Sequence, residues 1–274
     1  MKRYFLWLTP LFILTLISTA CALPSLPGLT SATPTPTAAP LPTLEPTSEP
    51  TATLIPPTAV PAPLLGARSF KDKSDSPLYE IDVEYPYMQG ESEVVDPFNQ
   101  AMDTFINNSV SAFKNDMAQS RDIPPVSDPL SFYQIQYTTP LVSGKVISVL
   151  FQVHFYYAGA AHPNSYYTAF NYDLTQHKML DLNELFVPGA NYLTTLSNYC
   201  TGQLQATLGD AFFAEGATPQ AENFKTWNLS LDGLEFTFDP YQVGPYAYGV
   251  QKVIIPFSEL KSITAPDGLL NQFK

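Results

Sequence analysis

Phe132-Tyr133-Gln134-Ile135-Gln136-Tyr137-Thr138-Thr139-Pro140, then Val142-Ser143-Gly144-Lys145, then Val146-Ile147-Ser148-Val149-Leu150-Phe151-Gln152-Val153-His154-Phe155-Tyr156-Tyr157, is the stretch whose reading decides the fold. It reads as two strands joined by a hairpin with glycine in its turn. In the second strand Ile147, Val149, Phe151, Val153, Phe155 and Tyr157 share one face, the period-2 pattern of a half-buried strand. Asn164 to Leu174 continues as a third strand, with Tyr166, Phe170, Tyr172 and Leu174 on one side. Upstream, Tyr79-Ile81-Val83-Tyr85-Tyr87 alternates with Glu80-Asp82-Glu84 in the same way. Asp96-Pro97 then offers a helix N-cap followed by proline at the first helical position. Phe98, Met102, Phe105, Ser109, Phe113 and Met117 recur three or four residues apart, predicting an amphipathic helix that ends near Gln119. A second long helix is predicted from about Ala190 to Leu208, with Leu193, Leu196, Cys200, Leu204 and Leu208 on one stripe. Asp181-Leu182-Asn183-Glu184 has the pattern of a capping box. Trp227 to Leu231 and Leu234 to Phe238 flank Asp232-Gly233, a type I′ hairpin signal. Val250 to Phe257 reads as a last strand and Ala265 to Phe273 as a closing helix. Hairpins dominate and no βαβ rhythm appears, so the class is α+β, a mainly antiparallel sheet with two long helices packed against it.

Outward from this body the character of the chain changes. Lys2 and Arg3 precede an apolar run from Tyr4 to Ile17, too short for a permanent span and suited to the core of a signal peptide. Ser18-Thr19-Ala20-Cys21 follows and resembles the lipobox of bacterial lipoproteins, with Ser18 where leucine is preferred. Residues 1–21 therefore read as a lipoprotein signal with Cys21 as the lipidated residue; the alternative is secretion by cleavage after Ala20. Residues 22–66 hold 12 prolines between Pro24 and Pro63, and no aromatic side chain. Such a segment cannot offset the entropy of ordering itself, so it reads as a disordered Pro/Thr-rich tether. The folded domain is expected over 67–274. Setting aside Lys2, Arg3, Glu45 and Glu49, it keeps 11 basic and 23 acidic residues and the whole net charge of −12. That charge excludes nucleic acid as a partner and a polybasic membrane contact. Two cysteines, Cys21 and Cys200, cannot build a disulfide framework or a cysteine zinc site, and no metal or cofactor is expected.

A search for chemistry finds no G-x-S-x-G elbow, H-E-x-x-H helix, Walker loop or G-x-G-x-x-G. His154, opposite Val153 and Phe155, and His177 in a polar turn have no ligand partners at metal spacing, and read as solvent-facing or locally hydrogen-bonded. Cys200 on the apolar stripe reads as a small buried hydrophobe. Glu80, Asp82 and Glu84 read as a charged outer face that discourages edge pairing. Two loops stand apart. Ala158-Gly159-Ala160-Ala161-His162-Pro163-Asn164 joins two strands. Asp239-Pro240-Tyr241-Gln242-Val243-Gly244-Pro245-Tyr246-Ala247-Tyr248-Gly249 packs three tyrosines between prolines and glycines. Fixed loops bearing tyrosines supply contact area at low entropic cost, so Tyr241, Gln242, Pro245, Tyr246, Tyr248, His162 and Asn164 are the candidate binding residues. The same tyrosines could instead cap the end of the sheet.

Blocks in these loops carry a resemblance. Residues 159–164, Phe170-Asn171-Tyr172-Asp173-Leu174, 180–186, 231–236, Pro240-Tyr241-Gln242-Val243-Gly244-Pro245-Tyr246-Ala247 and Ile255-Pro256-Phe257-Ser258-Glu259-Leu260 resemble the DUF3298 domain in order and spacing. Ile81-Asp82-Val83-Glu84-Tyr85-Pro86 and the helix after it resemble the DUF4163 segment that commonly precedes it. That pair forms the extracellular, lysozyme-sensing part of RsiV-like anti-sigma factors and an accessory part of a peptidoglycan deacetylase. With Met1, Lys2 and Arg3 alone before the apolar run, the chain reads as the wall-facing module without a sigma-binding segment. The resemblance implies a non-enzymatic binding lipoprotein on the outer face of the cytoplasmic membrane, whose partner is a basic secreted protein such as a lysozyme, or peptidoglycan. The rival expectation is an envelope hydrolase or esterase using a serine such as Ser165 near His162.

Overall fold

The computed structural model describes residues 60–119 and 130–273. The apolar run, Cys21 and the tether up to residue 59 lie outside the described residues. Two sheets are present among the residues described. The larger is built from β1 (Leu65–Asp75), β2 (Leu78–Met88), β3 (Ser131–Val142), β4 (Val146–Tyr156), β5 (Asn164–Asp173) and the short β6 (Lys178–Met179), in sequence order across six strands. The smaller holds β7 (Trp227–Leu229), β8 (Leu234–Phe238) and β9 (Gln251–Ile255), also in sequence order. All pairs are antiparallel except β2 with β3, which are parallel.

That parallel pair corrects the reading that no βαβ unit occurs: the helix α1 (Val95–Gln119) lies between β2 and β3 in the chain. Phe98, Met102, Ile106, Val110, Phe113 and Met117 are buried along it at four- and three-residue steps. They meet the inward-facing side chains Ile81, Val83, Ile135, Val149, Phe151, Val153 and Phe170 in one core. Aromatic pairs hold the seam, Phe113 on Tyr133 at 4.8 Å and Phe98 on Tyr172 at 5.4 Å. Asp96 sits one residue inside the helix rather than capping it, where its charge still favours the N-terminal dipole and Pro97 costs no hydrogen bond.

The helix α2 (Tyr192–Leu208) buries Leu196, Cys200, Leu204 and Leu208 with Leu229, Phe236, Phe238, Val253 and Ile255 in a second core. It therefore packs with the small sheet, in a core that also takes in Leu141 and Val146 of the large one. Between the two sheets runs a buried polar junction. Ser148 Oγ donates to Asn171 Oδ1 at 2.5 Å and accepts from Asn228 Nδ2 at 2.9 Å and from the Leu229 N–H at 3.1 Å. Asn171 Nδ2 donates to Trp227 O at 2.7 Å. These bonds fix the small sheet over one end of the outer face of the large one, since breaking them would leave further buried polar groups beside the unpaired Asn228 Oδ1.

Other boundaries shift for local reasons. β1 begins at Leu65, inside the stretch read as tether, and is a strand that the sequence does not announce. Its inward side chains are Arg68, Phe70 and Asp72; Arg68 pairs with Asp103 at 3.1 Å, and Asp72 with Lys114 at 2.5 Å, both on α1. β1 also makes β2 an interior strand, so Glu80, Asp82 and Glu84 are not edge guards. The hairpin at Asp232-Gly233 is real but not type I′: the loop runs from Ser230 to Gly233, and Asp232 does not take the positive φ that such a turn requires. Ser230 closes it, its N–H bonding Gly233 O at 2.9 Å. β9 stops before Pro256, and Phe257–Leu260 forms the single turn α3. The expected closing helix is only a 3₁₀ turn over Leu269–Phe273.

Candidate functional site

The loop after β8 is tied down before it reaches the surface. Asp239 Oδ1 accepts from the Tyr167 N–H of β5 at 2.7 Å, and Thr226 Oγ1 donates to Tyr167 O at 3.2 Å. Burial pushes the Asp239 carboxyl above its ordinary range, against the opposing pull of that N–H and of Lys225. Gln242 turns inward: Oε1 accepts from the Asp239 N–H at 3.2 Å, and Nε2 donates to Gly216 O and Asn223 O, each at 3.0 Å. Gly216 permits this approach, since a Cβ there would lie 1.8 Å from Gln242 O. Val243 is buried and accepts from the Phe213 N–H at 3.0 Å. Gln242 thus braces the base of the loop through its own amide.

Above this base the loop presents its aromatics. Tyr241, Tyr246 and Tyr248 are 59%, 44% and 52% exposed, so they do not cap the sheet from beneath. Pro245 opens the 3₁₀ turn Tyr246–Tyr248. Tyr241 holds a φ of 72°, a left-handed conformation costly for a bulky residue, and the bracing bonds are what sustain it. Tyr246 packs on Tyr241 with ring centroids 5.2 Å apart. On its other side it meets His162, from the loop between β4 and β5, at 5.5 Å. The two loops singled out in the sequence therefore come together as an exposed row of rings. His162 Nδ1 lies 2.8 Å from Pro163 O; a carbonyl can only accept, so Nδ1 carries a proton and Nε2 is the acceptor nitrogen of the neutral ring. Asn164, exposed at the start of β5, stands two residues from His162.

The serine considered beside His162 has a different partner. Ser165 Oγ is 2.6 Å from Nδ1 of His154, its cross-strand neighbour in β4. The registers continue this row across the outer face of the sheet as Lys71, Asp82, Gln134, His154 and Ser165. Lys71 pairs with Asp82 at 2.7 Å. A hollow of about 440 Å³ opens there, lined by Lys71, Lys73, Glu80, Asp82, Phe132 and Gln134. A smaller one of about 260 Å³ is lined by Gln136, Leu150, Gln152, Tyr167 and Lys252 among others. Strand parity places His154 and Ser165 on this face; what the sequence lacks is the register, set by the 157–163 connection.

Cys200 is fully buried and its thiol is pushed up to about 12 by that burial, leaving it unreactive. No three His, Cys, Asp or Glu side chains among the described residues converge to hold a metal ion. Among the same residues no helix is long and apolar enough to cross a membrane.

Comparison with known proteins agrees with this two-part build. Residues 183–258 match the family described as Protein of unknown function (DUF3298), and residues 72–165 match the family Deacetylase PdaC. The chain is thus similar to a DUF3298 domain over its C-terminal part and to PdaC over the part before it. It is 26% identical over 195 residues to the peptidoglycan-N-acetylmuramic acid deacetylase PdaC of Bacillus subtilis, covering 69% of this chain but 40% of that protein. Esterase Rv3036c of Mycobacterium tuberculosis is 27% identical over 192 residues, covering 68% of this chain and 79% of the esterase. Immunogenic protein MPT64 of the same species is 24% identical over 191 residues, covering 69% of this chain and 79% of that protein. Two crystal structures of DUF3298 proteins share the fold. The one from Bacteroides fragilis has a TM-score of 0.59 at 16% identity, covering 79% of this chain and 99% of that one. The one from Pseudomonas aeruginosa has a TM-score of 0.55 at 14% identity, covering 76% and 96%.

Proposed function

We propose that this chain, with its DUF3298 domain, is an extracytoplasmic binding module of the bacterial envelope that receives its partner on the row His162–Tyr246–Tyr241 and the adjoining Tyr248. The observation that carries the reading is the meeting of two separate loops in one exposed aromatic row, over a base braced by Gln242 and Asp239. Rigid tyrosines lose little entropy on binding and dominate many protein contacts. The partner is a basic secreted protein of the lysozyme kind, which a body of net charge −12 attracts in a salt-dependent way. The similarity to a peptidoglycan deacetylase supports a setting at the cell wall. In this reading Cys21 carries the lipid and residues 22–64 hold the domain away from the bilayer, resembling the wall-facing part of RsiV-like proteins.

The test is capture of lysozyme, and separately of insoluble peptidoglycan, by the full chain at low and physiological salt. Capture of lysozyme that weakens with salt supports the proposal. Retention on peptidoglycan alone assigns the surface to glycan instead, and retention of neither removes the binding role.

A further inference from the structure

We propose that Ser165 and His154 form a nucleophile and base for ester hydrolysis on the outer face of the large sheet. Their separation of 2.6 Å is within the range that a nucleophile and its base require. With the neutral ring protonated on Nε2, Nδ1 accepts from the serine hydroxyl, the direction that activates it. Both side chains are half-buried on regular strands, which hold a reacting pair more firmly than loops do.

Space for a substrate lies beside the pair. Gln134, the cross-strand neighbour of His154, lines the 440 Å³ hollow with Lys71, Lys73, Asp82 and Phe132. Gln152 and Tyr167, each two residues along its strand from the pair, line the 260 Å³ hollow over Leu150. The pair lies beside both hollows, next to Gln134 of one and two residues from Gln152 and Tyr167 of the other, so an ester bound at it can place a short acyl group against Leu150 and Tyr167. Its alcohol half, polar and hydroxylated, then faces the lysine, carboxylate and amide groups.

The chemistry needs only water as co-reactant. Ser165 Oγ attacks the acyl carbon while its proton passes to His154 Nδ1. The bond to the alcohol oxygen breaks, and that oxygen takes the proton from Nδ1. Water, deprotonated by the same nitrogen, then attacks the acyl-serine. The carboxylic acid leaves and the proton returns to Ser165.

The test uses the full chain with p-nitrophenyl acetate, and a fluorophosphonate probe whose site is mapped by mass spectrometry. It scores hydrolysis and labelling rather than partner capture, so it fails separately from the aromatic-surface reading. The expected result is one labelled serine, Ser165. Ser165→Ala should abolish the label and lower kcat/KM by at least about 100-fold. His154→Ala should lose a similar factor and regain part of it with added imidazole, which a merely structural histidine would not show. The idea is overturned by labelling no greater than in heat-denatured chain, by a label on another serine, or by unchanged hydrolysis in Ser165→Ala. Labelling is read on the unaltered chain, so the result does not depend on any variant folding.

Discussion

Gln242 offers a sharp perturbation because its amide has a fixed orientation. Its oxygen takes one N–H and its nitrogen serves two carbonyls, of Gly216 and Asn223. A hydrogen bond of this kind contributes about 1 kcal/mol net, so Gln242→Ala removes up to about 3 kcal/mol, and less for a half-exposed residue whose partners regain water. The expected loss is about 1–2 kcal/mol. In a domain of this size that lowers the melting temperature by about 2–4 °C per kcal/mol. Gln242→Glu is the discriminating variant. It keeps the acceptor for the Asp239 N–H but sets a carboxylate oxygen against two carbonyl oxygens, exchanging two attractions for two repulsions. Glu must therefore melt below Ala, although it is nearly isosteric with the native side chain. Thermal melts followed by circular dichroism give the order. If Gln242 instead reached outward to a partner, Glu would melt like the native chain and Ala no lower. That order would show that the loop has no brace.

Asp239→Asn should raise the melting temperature at neutral pH. Burial lifts the folded carboxyl above its unfolded value, so the native group stabilises fully below the unfolded pKa and loses that contribution as pH rises through the folded one. The gap between Asn and Asp should therefore close as the melts are taken to acid pH. Ser148→Ala should cost about 2–4 kcal/mol in urea unfolding, since it strips a partner from Asn171 Oδ1, Asn228 Nδ2 and the Leu229 N–H at once; a loss under about 1 kcal/mol would mean that the junction between the sheets is wet. Cys200 should resist a thiol reagent in the native chain and react fully in denaturant, and rapid native labelling would contradict its burial.

Strong periodicity made much of the fold legible. The α1 and α2 stripes and the alternation in β2, β4 and β5 are set by burial on one face, which hydrophobic residues must record. β1 escaped because ion pairs to α1, through Arg68 and Asp72, take the place of an apolar face. The Asp232-Gly233 dipeptide signalled the hairpin but not its length, because Ser230 supplies a longer closure. At the candidate site, loop composition pointed to His162, Tyr241 and Tyr246. It could not tell an outward tyrosine from the inward Gln242 one position along. Nor could it pair Ser165 with His154, since strand register follows from how the connection closes and not from the residues alone.

The reading of the aromatic row rests on Tyr246, the ring that touches both neighbours. The measurement is the affinity of Tyr246→Ala for the captured partner, taken with its melting curve. A central tyrosine at a contact costs about 2 kcal/mol or more when truncated, roughly thirtyfold in affinity. At 44% exposure, with two ring contacts worth about 0.5–1.5 kcal/mol each at most, the domain itself should lose only a few degrees. A thirtyfold loss of affinity with a nearly native melt is the expected result. Undiminished affinity, or a collapsed melt with no intact domain left to bind, would contradict it.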